Sequence, residues 1–130
     1  MLDGLNKYQK RGASMELLDR IKEDYFSYEG RLNRKPYIIR YLIMLVIMGL
    51  GRMLVTANTT ITFGNVIATI LLIVCSISII MLDIRRLHDL GRKGLWVLLM
   101  LVPMVNIIFL IYLVFARGCG SDNEYGSSPL

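Results

Sequence analysis

Histidine occurs once in these 130 residues, as His88, and cysteine twice, as Cys75 and Cys119. A tetrahedral nitrogen–sulfur metal site needs four such groups close together, and one chain cannot assemble it from these three. No metal and no cofactor are therefore expected. Aromatic residues make up only 9% and do not interleave with the basic ones, so the stacking platform of single-strand binders is missing. The net charge of +5 thus does not point to nucleic acid. Charged residues, at 19%, fall short of the roughly 25% usual in soluble domains. The first 36 residues hold no apolar core of a signal peptide, so the first span is expected to be an uncleaved anchor. No internal repeat or heptad array is present.

What the chain has instead is long apolar runs. Residues 61–82 (ITFGNVIATILLIVCSISIIML) and 95–116 (LWVLLMLVPMVNIIFLIYLVFA) each hold 22 residues without a charge before Asp83 and Arg117. As helices they would cover roughly 33 Å, against a hydrocarbon core of about 30 Å. A third candidate, residues 37–55, contains Arg40 and Arg52. These lie roughly 18 Å apart along a helix, so each can extend its guanidinium toward one interface. The expected fold is all-α: an integral membrane bundle of three transmembrane helices, about 37–55, 61–82 and 95–116, preceded by an amphipathic helix.

The rest divides around that 37–116 membrane domain. Residues 1–13 read as disordered. In the interfacial segment 14–36, Leu17, Leu18, Ile21 and Tyr25 fall at helical spacing opposite Glu16, Asp19, Arg20, Lys22 and Glu23. Ser14 suits the N-cap. Residues 56–60 form a short polar turn, and the tail 117–130 is rich in Gly and Ser. Lys and Arg concentrate before the first run and between the second and third, which places the N-terminus and the 83–94 loop in the cytoplasm. The C-terminus is then expected outside, unless a re-entrant segment at Pro103 brings it back.

The stretch 83–96, DIRRLHDLGRKGLW, concentrates two acids, four bases and the histidine. His88 and Asp89 point about 100° apart on a helix and cannot orient one another as triad members do, so no catalytic residue is assigned. If the second helix runs to about Leu90, Asp83 meets Arg86 at i+3 and Arg85 meets Asp89 at i+4. Gly91 then suits a left-handed C-cap and Trp96 an interfacial anchor. Bases left over are candidates for a phosphate group. Within the runs, Thr62, Thr69, Ser76 and Asp83 recur every seven residues with Asn65 beside them, a polar stripe along the second helix. Gly64 and Ala68 make a small patch for close helix approach. Asn106 follows Pro103, which should kink the third run by freeing the Leu99 carbonyl.

Three stretches taken together carry a family resemblance. FSYEGRLNRKPY (26–37) resembles F-x-x-x-G-R-x-x-R-x-x-Y, and 83–96 resembles R-R-L-H-D-x-G-R-x-G-x-W. GCGSDNEYGSSP (118–129) resembles a closing G-x-x-G-x-N-x-Y-G-x-x-P. In this order they resemble the domain of unknown function 805 family of small bacterial inner-membrane proteins. Ile38, Leu95 and Ser121 depart from residues usual there. The resemblance implies a fold and a bacterial inner-membrane location but no activity.

Three functions remain open. The first is a non-enzymatic accessory or regulatory protein holding anionic lipid or a partner at Arg31, Arg34, Arg85, Arg86, His88 and Arg92. The second is a small transporter or channel subunit using Asn65, Thr69, Ser76, Asp83 and Asn106. The third is an enzyme acting on lipid head groups through His88. Anionic lipids and a homo-oligomer or another membrane protein are the expected partners.

Overall fold

The computed structural model describes residues 2–57 and 62–129. Its described residues form five helices in the order α1 (Leu2–Phe26), α2 (Arg34–Ala57), α3 (Phe63–Asp89), a 3₁₀ helix (Gly94–Leu101) and α4 (Pro103–Phe115). No strand forms among them; a single isolated bridge joins Asn123 to Gly126. Ile61 and most of the expected 56–60 turn lie outside the described residues.

α2 and α3 are long and apolar enough to cross a membrane. α2 starts on Asn33, whose carbonyl accepts the Tyr37 amide at 3.1 Å and whose side chain accepts the Arg34 amide at 2.7 Å. Pro36, in the first turn, lacks an N–H that would have no helical partner there. α3 runs past the apolar stretch to Asp89 and stops where the sequence said it should. Gly91 takes φ +66°, its amide donates to the His88 carbonyl, and the Arg92 amide donates to that of Leu87 at 2.9 Å. That is the paired Schellman closure, and it favours glycine because a side chain resists positive φ.

The first helix begins earlier than the expected interfacial segment. Residues 1–13, read as disordered, belong from Leu2 onward to α1; no proline interrupts that stretch, and Gly4 and Gly12 weaken a helix without forbidding it. The apolar side of the 14–36 segment also stays uncovered, with Leu17, Leu18 and Ile21 all exposed.

The structure corrects the expectation for the run 95–116, which is not one spanning helix. Pro103 has no N–H to offer Leu99, and the chain bends at Val102 between the 3₁₀ helix and α4. Neither piece is long enough to span. At about 2.0 and 1.5 Å per residue they reach roughly 16 and 20 Å. Both ends of this segment return to one turn of α3. Gly94 lies against Ile84 and His88, and the carbonyls of Leu113 and Ala116 accept from Arg86 at 2.9 and 2.6 Å. The tail therefore sits beside the 83–94 loop, at the same end of the helix pair, and not at the opposite end as three full spans would require.

Leu32, Tyr37, Leu82, Leu87, Phe109 and Leu113 form the buried cluster, and it lies at this end. Toward the other end Gly51 lets α2 approach Leu72 of α3. Around that contact large apolar side chains point outward: Leu50 is 60% exposed, Met53 71% and Phe63 82%.

Candidate functional site

The polar residues of the three sequence signatures converge on Asp89. Its Oδ1 accepts from Arg31 Nε and Nη2 at 3.3 and 3.2 Å, and its Oδ2 accepts from Arg86 Nη1. All three side chains are buried. A carboxylate between two guanidiniums satisfies its lone pairs and lowers the electrostatic cost of burying either cation.

The remaining guanidinium hydrogens tie down backbone. Arg31 donates to the carbonyls of Cys119, Ser121 (2.8 Å) and Gly126 (3.3 Å), so it organises the tail. Arg86 donates to Leu32 O at 3.3 Å, besides Leu113 and Ala116. The Leu113 carbonyl belongs to the last turn of α4, where helix carbonyls have no helical partner, so Arg86 acts as a C-terminal cap. The Asp89 carbonyl accepts the Cys119 amide at 2.8 Å. Gly118 is pressed so close to the Asp89 carboxylate that no Cβ fits there.

Arg85 points the other way, as neighbours on a helix must. Its Nη1 donates to the carbonyls of Glu23 and Asp24 at 3.0 and 3.2 Å, in the last turn of α1. Adjacent arginines thus cap two different helices. The i+3 and i+4 pairs expected from spacing, Asp83 with Arg86 and Arg85 with Asp89, give way to these tertiary partners. Asp83 is fully buried and accepts the Tyr37 hydroxyl at 2.8 Å, while its Oδ2 has no hydrogen-bond partner. Arg40, expected to reach for an interface, instead binds Asp24 through its carboxylate at 2.5 Å and its carbonyl at 3.3 Å.

His88 is held by its surroundings. Its Nδ1 lies 3.3 Å from the Gly30 carbonyl, and Tyr125 stacks on the ring at 3.9 Å between centroids, 1° from parallel. Asn123 donates from its side chain to the His88 carbonyl at 2.9 Å. Arg92 lies over the Trp96 ring, 5.3 Å from its centroid. Arg34 is half-buried at the start of α2.

The intramembrane candidates do not converge. Thr69 and Ser76 are exposed, each hydroxyl donating at 2.8 Å to its own helix, to Asn65 O and Leu72 O. Asn65 and Asn106 are half-buried, and Asp83 alone of this set is buried with the arginine cluster nearby. Sequence reasoning missed Tyr37, Asn123 and Tyr125 as partners, although all three stand in the quoted signatures. It also missed Ser78, whose hydroxyl donates to the Tyr25 carbonyl at 2.9 Å and fastens α1 to α3.

The family model described as "Protein of unknown function (DUF805)" matches residues 25–127, which enclose every residue of this cluster from Arg31 to Gly126. The chain belongs to the DUF805 family. Two Escherichia coli (strain K12) relatives are similar along most of their length. Inner membrane protein YhaI is 28% identical over 113 residues, covering 84% of this chain and 91% of the relative. Inner membrane protein YhaH is 26% identical over 113 residues, covering 85% and 93%. No solved structure gives a significant match. α1 up to Asp24 precedes the DUF805 match, so Arg85 and Arg40 fasten to this protein a helix that lies mostly outside the family's segment.

Proposed function

We propose that this DUF805 protein is a multi-pass bacterial inner-membrane protein with α2 and α3 across the bilayer. In this reading the 3₁₀ helix and α4 form a re-entrant segment. The N-terminus, the 83–94 loop and the tail all face the cytoplasm. The observation that carries it is the binding of the tail backbone to Arg31 and Asp89, which makes the three polar segments one body at one end. From Arg31 to Arg117 every Lys and Arg lies toward that end except Arg52, the asymmetry that orients inner-membrane proteins. Uncovered apolar side chains on α2 and α3 fit contact with lipid.

The role supported best is non-enzymatic: an accessory protein that gathers anionic lipid at its cytoplasmic interface. The lipid-facing set differs from the six candidates chosen by sequence. Arg31 and Arg86 are buried and bonded to Asp89 and backbone carbonyls, His88 is stacked, and Arg85 is half-buried beside the end of α1. That leaves Arg34 and Arg92, with Lys35 and Lys93 beside them and Trp96 at the same level. Each exposed base near an anionic surface contributes about 1 kcal/mol.

Two measurements test this. A cysteine at Ser127, in a Cys75→Ser, Cys119→Ser background, should react with impermeant maleimide in inverted vesicles and not in spheroplasts; the reverse sinks the topology. Full-length protein carrying Lys35→Ala, Arg92→Ala and Lys93→Ala should co-purify with less phosphatidylglycerol. Unchanged phosphatidylglycerol sinks the lipid role.

A further inference from the structure

Between the end of α1, the turn at Gly30, Arg85 of α3 and the tail lies an open cleft of about 480 Å³. That volume falls within the roughly 300–1,000 Å³ of small-molecule sites. Its charged lining has both signs. Glu23 and Glu29 both line it, and neither forms a salt bridge among the described residues. The cations are Arg31, ion-paired with the Asp89 carboxylate that it shares with Arg86, and Arg85. Arg85 Nε is buried without a hydrogen-bond partner among the described residues, so this guanidinium keeps donor capacity that an anion can use. Tyr125 and Ser127 add hydroxyls from the tail.

This combination discriminates among ligands. A plain anion would meet the carboxylates of Glu23 and Glu29, and a plain cation would meet the guanidinium of Arg85. A group with a phosphate and a primary ammonium a few ångströms apart satisfies both. We infer that the cleft binds a phosphoethanolamine head group, its phosphate on Arg85 and its ammonium between Glu23 and Glu29. Choline should bind worse, since a quaternary ammonium has no N–H to donate to a carboxylate. The head group can belong to a lipid, given a cleft at the polar end of α2 and α3, or to the free compound. The assignment rests on the membrane reading above for its lipid form, but uses different residues from the anionic-lipid set.

The test uses full-length protein in detergent, equilibrated with phosphatidylethanolamine, phosphatidylcholine and phosphatidylglycerol, with retained lipid quantified by mass spectrometry. Wild type should retain phosphatidylethanolamine over phosphatidylcholine by about fivefold or more, the scale of one charge-assisted hydrogen bond. Glu23→Gln with Glu29→Gln should abolish that preference and leave phosphatidylglycerol retention unchanged; both carboxylates are exposed, so folding should survive. Lys35→Ala, Arg92→Ala and Lys93→Ala should do the opposite. Displacement by millimolar O-phosphoethanolamine, but not phosphocholine, would show that the free compound binds; without displacement, the lipid form alone is bound. Equal retention of the two zwitterionic lipids by wild type, or an undiminished preference in the double variant, overturns the assignment whatever happens to phosphatidylglycerol.

Discussion

The two ends of the α2–α3 pair solve the problem of stability differently. At the end holding Arg31, Arg86 and Asp89, the buried guanidiniums of Arg31 and Arg86 bond to a shared carboxylate and to backbone carbonyls. Toward the other end Leu50, Met53 and Phe63 point outward, and the hydroxyls of Thr56, Thr69 and Ser76 bond to their own helices. Directional bonds leave few alternative arrangements, so the polar end specifies which segments meet. Apolar faces toward lipid are interchangeable in detail. The polar end should therefore be brittle to substitution and the apolar end tolerant.

The largest effect is expected from Asp89→Ala, which leaves two buried guanidiniums without their shared carboxylate. Breaking a buried ion pair by removing one partner typically costs about 3–5 kcal/mol. A large drop in thermal unfolding temperature in detergent would check it; an unchanged midpoint would erase the contrast between the ends. Gly118→Ala comes next. Its Cβ collides with Asp89, so the tail should lift and Cys119 should react with maleimide several times faster than in wild type. Tyr37→Phe removes the one hydrogen bond to the Asp83 carboxylate among the described residues and should destabilise by about 1–3 kcal/mol, read from the same melting curve. The smallest effect belongs to the apolar end. Thr69→Val and Ser76→Ala should each stay within about 0.5 kcal/mol. A loss as large as that of Asp89→Ala would mean this surface is packed against a partner.

Much of the fold was legible because it depends on local rules. Apolar runs mark α2 and α3, and Gly91 followed by Arg92 marks where α3 stops. The bend at Pro103 was legible too, yet its consequence was not: a proline says that a helix breaks but not where the chain goes next. The site was legible as membership only. Arg31, Arg86, Asp89 and Asn123 stand in recognisable motifs, but i+3 and i+4 spacing pairs Asp83 with Arg86 and Arg85 with Asp89. Local geometry favours those pairs only by tenths of a kcal/mol. Unsatisfied carbonyls at the ends of α1 and α4, brought in from far along the chain, offer the arginines stronger partners.

By itself, then, the sequence determined an all-helical chain rich in apolar runs, the limits of its two long helices and its place in a family. Those follow from composition, periodicity and caps, which act over a few residues. Only the tertiary structure decided that the last apolar run folds back and that the tail joins the loop. It also decided that the side chains of RRLHD bond to the end of α1, the 30–32 turn, the end of α4 and Arg31. Such outcomes depend on which buried donors find acceptors, and those acceptors are backbone carbonyls that no side-chain pattern reveals.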